Sequence, residues 1–158
     1  MNINRCNIED GARIFGQAAN TLGVLAKAAL KADEFTGKEI ISQNIIPSIV
    51  LKAFSCELFL KSIVYANDIP KIHKLDDLFE LIGNRNKKDI QDSIIKKMQH
   101  FSKQYNENNF STDLSEVANA FIDWRYFFEG TRSININFLD SLFYTLWEHS
   151  NQAIKMKS

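Results

Sequence analysis

The sequence predicts an all-α fold, a single bundle of four to five long antiparallel helices with shorter helices between them. Three observations predict it. Apolar residues recur at helical intervals in every long segment. The most apolar run, IIPSIVLKAFSCELFLKSIVY at 45–65, is apolar nearly all round, as a helix at the centre of a bundle must be. The one alternating stretch, TRSININ at 131–137, is too short to form a sheet alone.

Taken in order, Asn7, Ile8, Glu9 and Asp10 open the first helix, with acidic residues suited to its positive end. Ile14, Phe15, Ala18, Leu22, Leu25, Ala29 and Leu30 then set an inward face to about Asp33. Gly16 and Gly23 thin that face for a close neighbour. Residues 31–43 connect, with a turn signal at Thr36-Gly37. The central helix follows. Pro47 suits its first turn, Asn44 or Ser48 is placed to cap it, and Pro70 stops the chain beyond it. Its apolar stripe is Ile49, Ala53, Cys56, Leu60 and Ile63. Glu57 and Lys61 interrupt the neighbouring stripe at the i, i+4 spacing of a local ion pair.

Leu75, Leu78, Phe79 and Ile82 make a short amphipathic helix closed by Gly83 or Asn84. Residues 86–105 form another, with Ile90, Ile94, Ile95, Met98 and Phe101 inward and a basic face of Lys87, Lys88, Lys96, Lys97 and Lys103 outward. Residues 106–112 read as a loop from which Ser111 or Thr112 caps a helix carrying Leu114, Val117, Ala118, Phe121, Ile122, Arg125 and Phe128, ended by Gly130. A closing helix spans 138–156, with Leu139, Leu142, Phe143, Leu146 and Trp147 apolar. No linker divides the chain, so its 158 residues form one domain.

Composition excludes several functions. Nineteen basic and nineteen acidic residues balance, so no overall field draws the chain to nucleic acid or an anionic membrane. Cys6 and Cys56 match no zinc or redox spacing, and His73, His100 and His149 are too scattered for a metal site. Walker, GxGxxG and GxSxG motifs are absent, so no metal or cofactor is expected. The N-terminus has no secretory signal and no run is long enough to span a membrane, which makes the cytoplasm the expected location. Twelve Phe, four Tyr and two Trp imply heavy aromatic packing, a subunit interface included.

Charge on apolar stripes marks the candidate site. Besides Glu57 and Lys61, the segment FIDWRYFFEG at 121–130 sets Arg125 among aromatics. An Arg there needs a partner, because an unpaired desolvated charge costs several kcal/mol. Glu57 is the economical one, Glu129 and Asp123 compete, and Trp124 or Tyr126 offers a ring to stack on. One reading is an ion pair that fixes helix register. The other is a polar cleft meeting RNA or nucleotide phosphate through Arg125. His73 heads the short helix, placed to cap it or to bond a carboxylate.

In their order, AFSCELFLKSI, HKLDDLFELI and FIDWRYFFEG resemble the HEPN superfamily of helical domains over about residues 45–130. The matching positions are Glu57, Leu58, Leu60 and Lys61; His73, Leu75 and Leu78; and Trp124, Arg125, Tyr126 and Glu129. The resemblance implies a helical, dimeric protein of toxin–antitoxin or antiviral defence systems. The family holds both metal-independent ribonucleases and non-catalytic members that bind nucleotides or RNA. Its nucleases carry an Arg, a polar residue and, one to two helical turns on, a His. Here Arg125 is followed by no His before His149, and Arg5, Arg13, Arg85 and Arg132 have none at that spacing. The resemblance therefore implies a non-catalytic homodimer that binds RNA, nucleotide or a protein partner through Arg125, Tyr126, Lys61 and His73. The alternative is a divergent endoribonuclease using Arg125, His73 and Glu57 or Glu129. A third is an antitoxin-like adaptor with an apolar patch on the first or last helix.

Overall fold

The first helix owes its packing to small residues. The computed structural model describes residues 5–31, 39, 41–65, 68–119 and 134–155. Helix α1, Arg5–Lys31, buries Ala12, Gly16, Ala19 and Ala26. Of the larger residues expected inside, Ile14 is 64% exposed and Leu25 52%, while Phe15 and Leu22 are half-buried, Phe15 against the Phe54 ring at 4.7 Å. A ridge of alanine and glycine lets backbones approach where Ile and Leu would hold them apart. Helix α2, Ile46–Val64, uses that approach directly. The Ser48 hydroxyl donates to the Ala19 carbonyl at 2.8 Å and the Ser55 hydroxyl to the Ala12 carbonyl at 2.6 Å. Later residues of α2 thus meet earlier residues of α1, so the pair is antiparallel.

Gly16 and Gly23 differ in what surrounds them. A Cβ on Gly16 would lie 2.7 Å from Phe143 Cε2 and 2.7 Å from Trp147 Cζ3, whereas one on Gly23 would meet only Ser48 Oγ at 3.5 Å. Gly16→Ala is therefore expected to destabilise by about 1–3 kcal/mol through overpacking. Gly23→Ala gains helix propensity of about 1 kcal/mol without a clash. Urea melts of the two variants check the opposite signs.

Helix α2 grows out of a π-helical turn, Ile41–Ile45, with Pro47 in its first turn. Its N-cap residue Ile45 is itself helical and no side chain caps it, because the preceding turn already supplies a helical lead-in. Neither Asn44 nor Ser48 caps the helix, and Ser48 serves the α1 contact instead. The stripe of Ile49, Ala53, Cys56 and Leu60 is buried. Cys56 is wholly enclosed, which pushes its thiol pKa far up, while Cys6 is exposed.

Four further helices complete the described chain: α3 Leu75–Glu80, α4 Asn84–Met98, α5 Glu107–Val117 and α6 Ile136–Lys155. Gly83 does not close α3. It is the N-cap of α4, which therefore starts earlier than expected, and α4 ends at Met98 because the chain turns there. Phe101 is consequently 64% exposed rather than inward, and Tyr105 is buried in its place, its hydroxyl donating to Asp113 at 2.7 Å. Helix α5 starts inside the expected loop. Asn106 caps it, accepting from the Asn108 and Asn109 amides, while the Asn109 side chain accepts from the Asn106 amide. Ser111 and Thr112 lie one turn inside and donate to the Glu107 and Asn108 carbonyls. Helix α6 begins two residues early, where the Asn135 side chain accepts from the Phe138 amide.

Helix α6 packs on α2 with Phe59 and Trp147 edge to face at 5.9 Å and an ion pair between Lys52 and Asp140 of 2.6 Å. The pairs 52–140 and 59–147 run in the same sense, so α2 and α6 are parallel, both antiparallel to α1. The expected all-antiparallel arrangement is corrected in that respect. Arg13 ties α1 to the far end of α6, donating to Asn151 Oδ1 at 2.6 Å and Ser150 Oγ at 2.7 Å over the Trp147 ring. Phe79, Phe110 and Phe138 join the core from α3, α5 and α6. Every described element is helical or a turn, and no described helix is long and apolar enough to cross a membrane.

Candidate functional site

The two charges in the central helix are buried together. Glu57 is 1% exposed and Lys61 6%. Lys61 Nζ lies 2.8 Å from Glu57 Oε1, the local pair that the i, i+4 spacing predicts. His73 reaches the same oxygen, with Nδ1 at 3.0 Å. Its own side chain is 60% exposed. An ionised carboxylate only accepts, so Nδ1 carries the hydrogen in this contact and Nε2 is left for another group. The imidazole is a surface group fixed from below.

Backbone geometry holds His73 there. The Leu75 amide donates to the Ala118 carbonyl at 3.0 Å, tying the start of α3 to the turn that follows α5. Leu75 and Leu78 are buried beneath it. The chain that carries His73 is thus anchored to Ala118, just past α5. Helix α3 takes no side-chain cap, so of the two roles expected for His73 the structure gives the carboxylate contact.

Glu57 has capacity to spare. Both partners sit on Oε1, and the buried Oε2 has no hydrogen-bond partner among the described residues. Leaving a buried acceptor unpaired costs about 1–3 kcal/mol, so Oε2 is the acceptor of this site for which a further partner matters most. Of the six residues expected here, Glu57, Lys61 and His73 are brought together. Arg125, Tyr126 and Glu129 lie outside the described residues, as do Asp123 and Trp124.

No family model, no curated protein and no solved structure matches the chain.

The other polar groups singled out from the sequence are spread apart. The basic face of α4 is partly neutralised, Lys87 by Glu80 and Lys97 by Glu148. His100 bonds the Lys96 carbonyl. Among the described residues no cluster of His, Cys, Asp and Glu is placed to hold a metal ion. His149 lies on the inner side of α6, where burial lowers its pKa from 6.5, the Asp89 carboxylate opposes that shift and Arg5 adds to it. A base whose folded pKa is lowered binds fewer protons folded than unfolded, so stability rises with pH through this window. His149 is therefore expected to contribute fully above pH 6.5 and to lose that contribution as the pH falls through the lowered value. Midpoints of urea unfolding between pH 7.5 and 5 check this, with His149→Gln flattening the slope.

Proposed function

We propose that this chain is a HEPN-like, non-catalytic binding module that takes single-stranded RNA or a nucleotide beside His73. The observation that carries the reading is an exposed imidazole held through Nδ1 on a carboxylate that is itself buried and paired with Lys61. A fixed, outward-facing hydrogen-bonding group loses little freedom when it binds, which favours recognition. Glu57 Oε2, an acceptor with no partner among the described residues, is suited to a guanidinium. In this reading Arg125 is anchored there and meets phosphate, with Tyr126 stacking on a base. The Leu75–Ala118 hydrogen bond supports the same reading, because it holds the start of α3 against a residue that closely precedes FIDWRYFFEG in sequence.

The module acts as a homodimer in a defence or toxin–antitoxin setting. Ile14 and Leu25, about three turns apart on one line of α1, are exposed apolar residues of the kind a partner helix covers. The described aromatics lend less to a dimer face than their number suggests, since Phe101 and Tyr144 are the exposed large ones among them.

The test is fluorescence anisotropy with a labelled RNA oligomer and with mononucleotides. Because His73 is exposed, His73→Ala should leave the fold intact while weakening binding by roughly tenfold, the loss of one charge-assisted contact. Equal affinity in the variant and the parent protein would remove the reading.

One observation favours a second reading. A carboxylate that fixes an imidazole tautomer, leaving Nε2 exposed, is also the arrangement of a general base. A divergent metal-independent endoribonuclease would use His73 to take the proton of a ribose 2′-hydroxyl, with Arg125 on the phosphate. RNA cleavage in excess chelator, abolished by both His73→Ala and Arg125→Ala, would establish it.

A further inference from the structure

A cleft lined by none of Glu57, Lys61 and His73 lies elsewhere on the molecule. It opens between the start of α1, the first turns of α4 and the inner face of α6, with a volume of about 790 Å³. That is the size range of small-ligand sites. Its floor holds two polar atoms that nothing described satisfies, Thr145 Oγ1 and His149 Nδ1. Thr145 is 4% exposed, so its hydroxyl is a buried group turned toward a cleft rather than toward solvent. A helical threonine commonly bonds the carbonyl one turn back, and this one does not. Native interiors rarely leave such groups without a partner.

The charges around this floor are sorted. Arg85 stands in the first turn of α4, whose N-cap is Gly83 and offers no side-chain cap to the free amides there. No acidic residue occupies that turn. Arg5 faces it from α1, with Nε on Glu9 at 3.2 Å. The cleft is therefore positive at this end, from two guanidiniums and the start of a helix. One and two turns further along the same face of α4 come Asp89 and Asp92, which form no ion pair with a described residue. Glu148 also lines the cleft but is held by Lys97 at 2.6 Å. Buried Ile90 supplies an apolar wall between the two ends.

We infer that this cleft binds a small zwitterion, an amino acid or a short peptide, with its carboxylate at Arg85 and Arg5 and its ammonium at Asp89 and Asp92. The molecule's polar middle would seat on Thr145 and His149, supplying hydrogen bonds that Thr145 Oγ1 and His149 Nδ1 make with no described residue. A zwitterion meets both charged ends of the cleft at once, which a simple anion or a simple amine would not. Metal binding is disfavoured by geometry, as these acidic groups do not converge with His149 among the described residues.

The experiment is a binding titration by calorimetry and thermal shift on the full chain, using the common amino acids and a set of di- and tripeptides. At least one zwitterion should raise the melting temperature, and its N-acetyl and carboxamide forms, each lacking one charge, should not. Saturation by a single amino acid identifies that source, and saturation by peptides alone identifies the other. Arg85→Gln and Asp89→Asn, both exposed surface changes expected to preserve the fold, should each weaken binding by roughly tenfold or more. No shift with any zwitterion, equal binding of the blocked forms, or affinity untouched by both variants would overturn the inference. His73→Ala should leave this binding unchanged, which separates failure here from failure of the RNA reading.

Discussion

Replacing Glu57 by alanine is expected to lower the unfolding free energy by about 3–5 kcal/mol, because it strands a buried ammonium. Lys61 is 6% exposed and its ion-pair partner among the described residues is Glu57. The loss comes from the charge left behind more than from the attraction removed. Removing both charges should therefore be much milder: Glu57→Leu with Lys61→Met fills similar volume and leaves nothing unpaired. Urea unfolding with matched slopes measures both. A double variant as damaged as Glu57→Ala alone would show that the pair stabilises in its own right. The same double variant should lose the fixed orientation of His73, separating a stable fold from a working site.

Phe143→Ala is the second large effect, about 3–5 kcal/mol from lost burial and the cavity left behind. Phe143 is fully buried, stacks edge to face on Trp147 at 5.6 Å and sits over Gly16. The close contact of α1 with α6 is built on that ring, so the void has little freedom to collapse. Denaturation should show a lower midpoint with the cooperative single transition retained. A loss under about 1 kcal/mol would mean that α1 can settle into the space, contrary to the packing described.

How much was legible in the residues follows from what each inference needed. The core position of α2 and the Glu57–Lys61 pair rest on local spacing, which a helix converts directly into contact. The face of α1 is legible only in part, because apolar periodicity weights large side chains: Phe15 and Leu22 are half-buried, but the fully buried positions include Ala12, Gly16, Ala19 and Ala26. Only the partner surface, Ser48, Ser55 and Phe143, explains the choice. The α5 cap was missed where Asn106, Ser111 and Thr112 all offered cap chemistry, and the reciprocal bond from Asn109 decided among them.

The site divides the same way. The contact of His73 with Glu57 spans the turn between α2 and α3; the residues offer His73 a carboxylate without saying which, and the fold supplies Glu57 at 3.0 Å. The cleft at Thr145 and His149 had no local signal at all. Its walls come from both ends of the chain and from α4, and no spacing rule joins Arg5 to Asp89 and Thr145.

The central claim is that His73, fixed by buried Glu57, is a binding group rather than a surface ornament of a structural ion pair. The most direct measurement is equilibrium binding of a labelled single-stranded RNA to the parent protein and to His73→Ala, each shown folded, with the RNA recovered afterwards. The account predicts binding by the parent, roughly tenfold weaker binding by the variant, and intact RNA in both samples. Absence of RNA or nucleotide binding by the parent, or binding indifferent to His73, would contradict it.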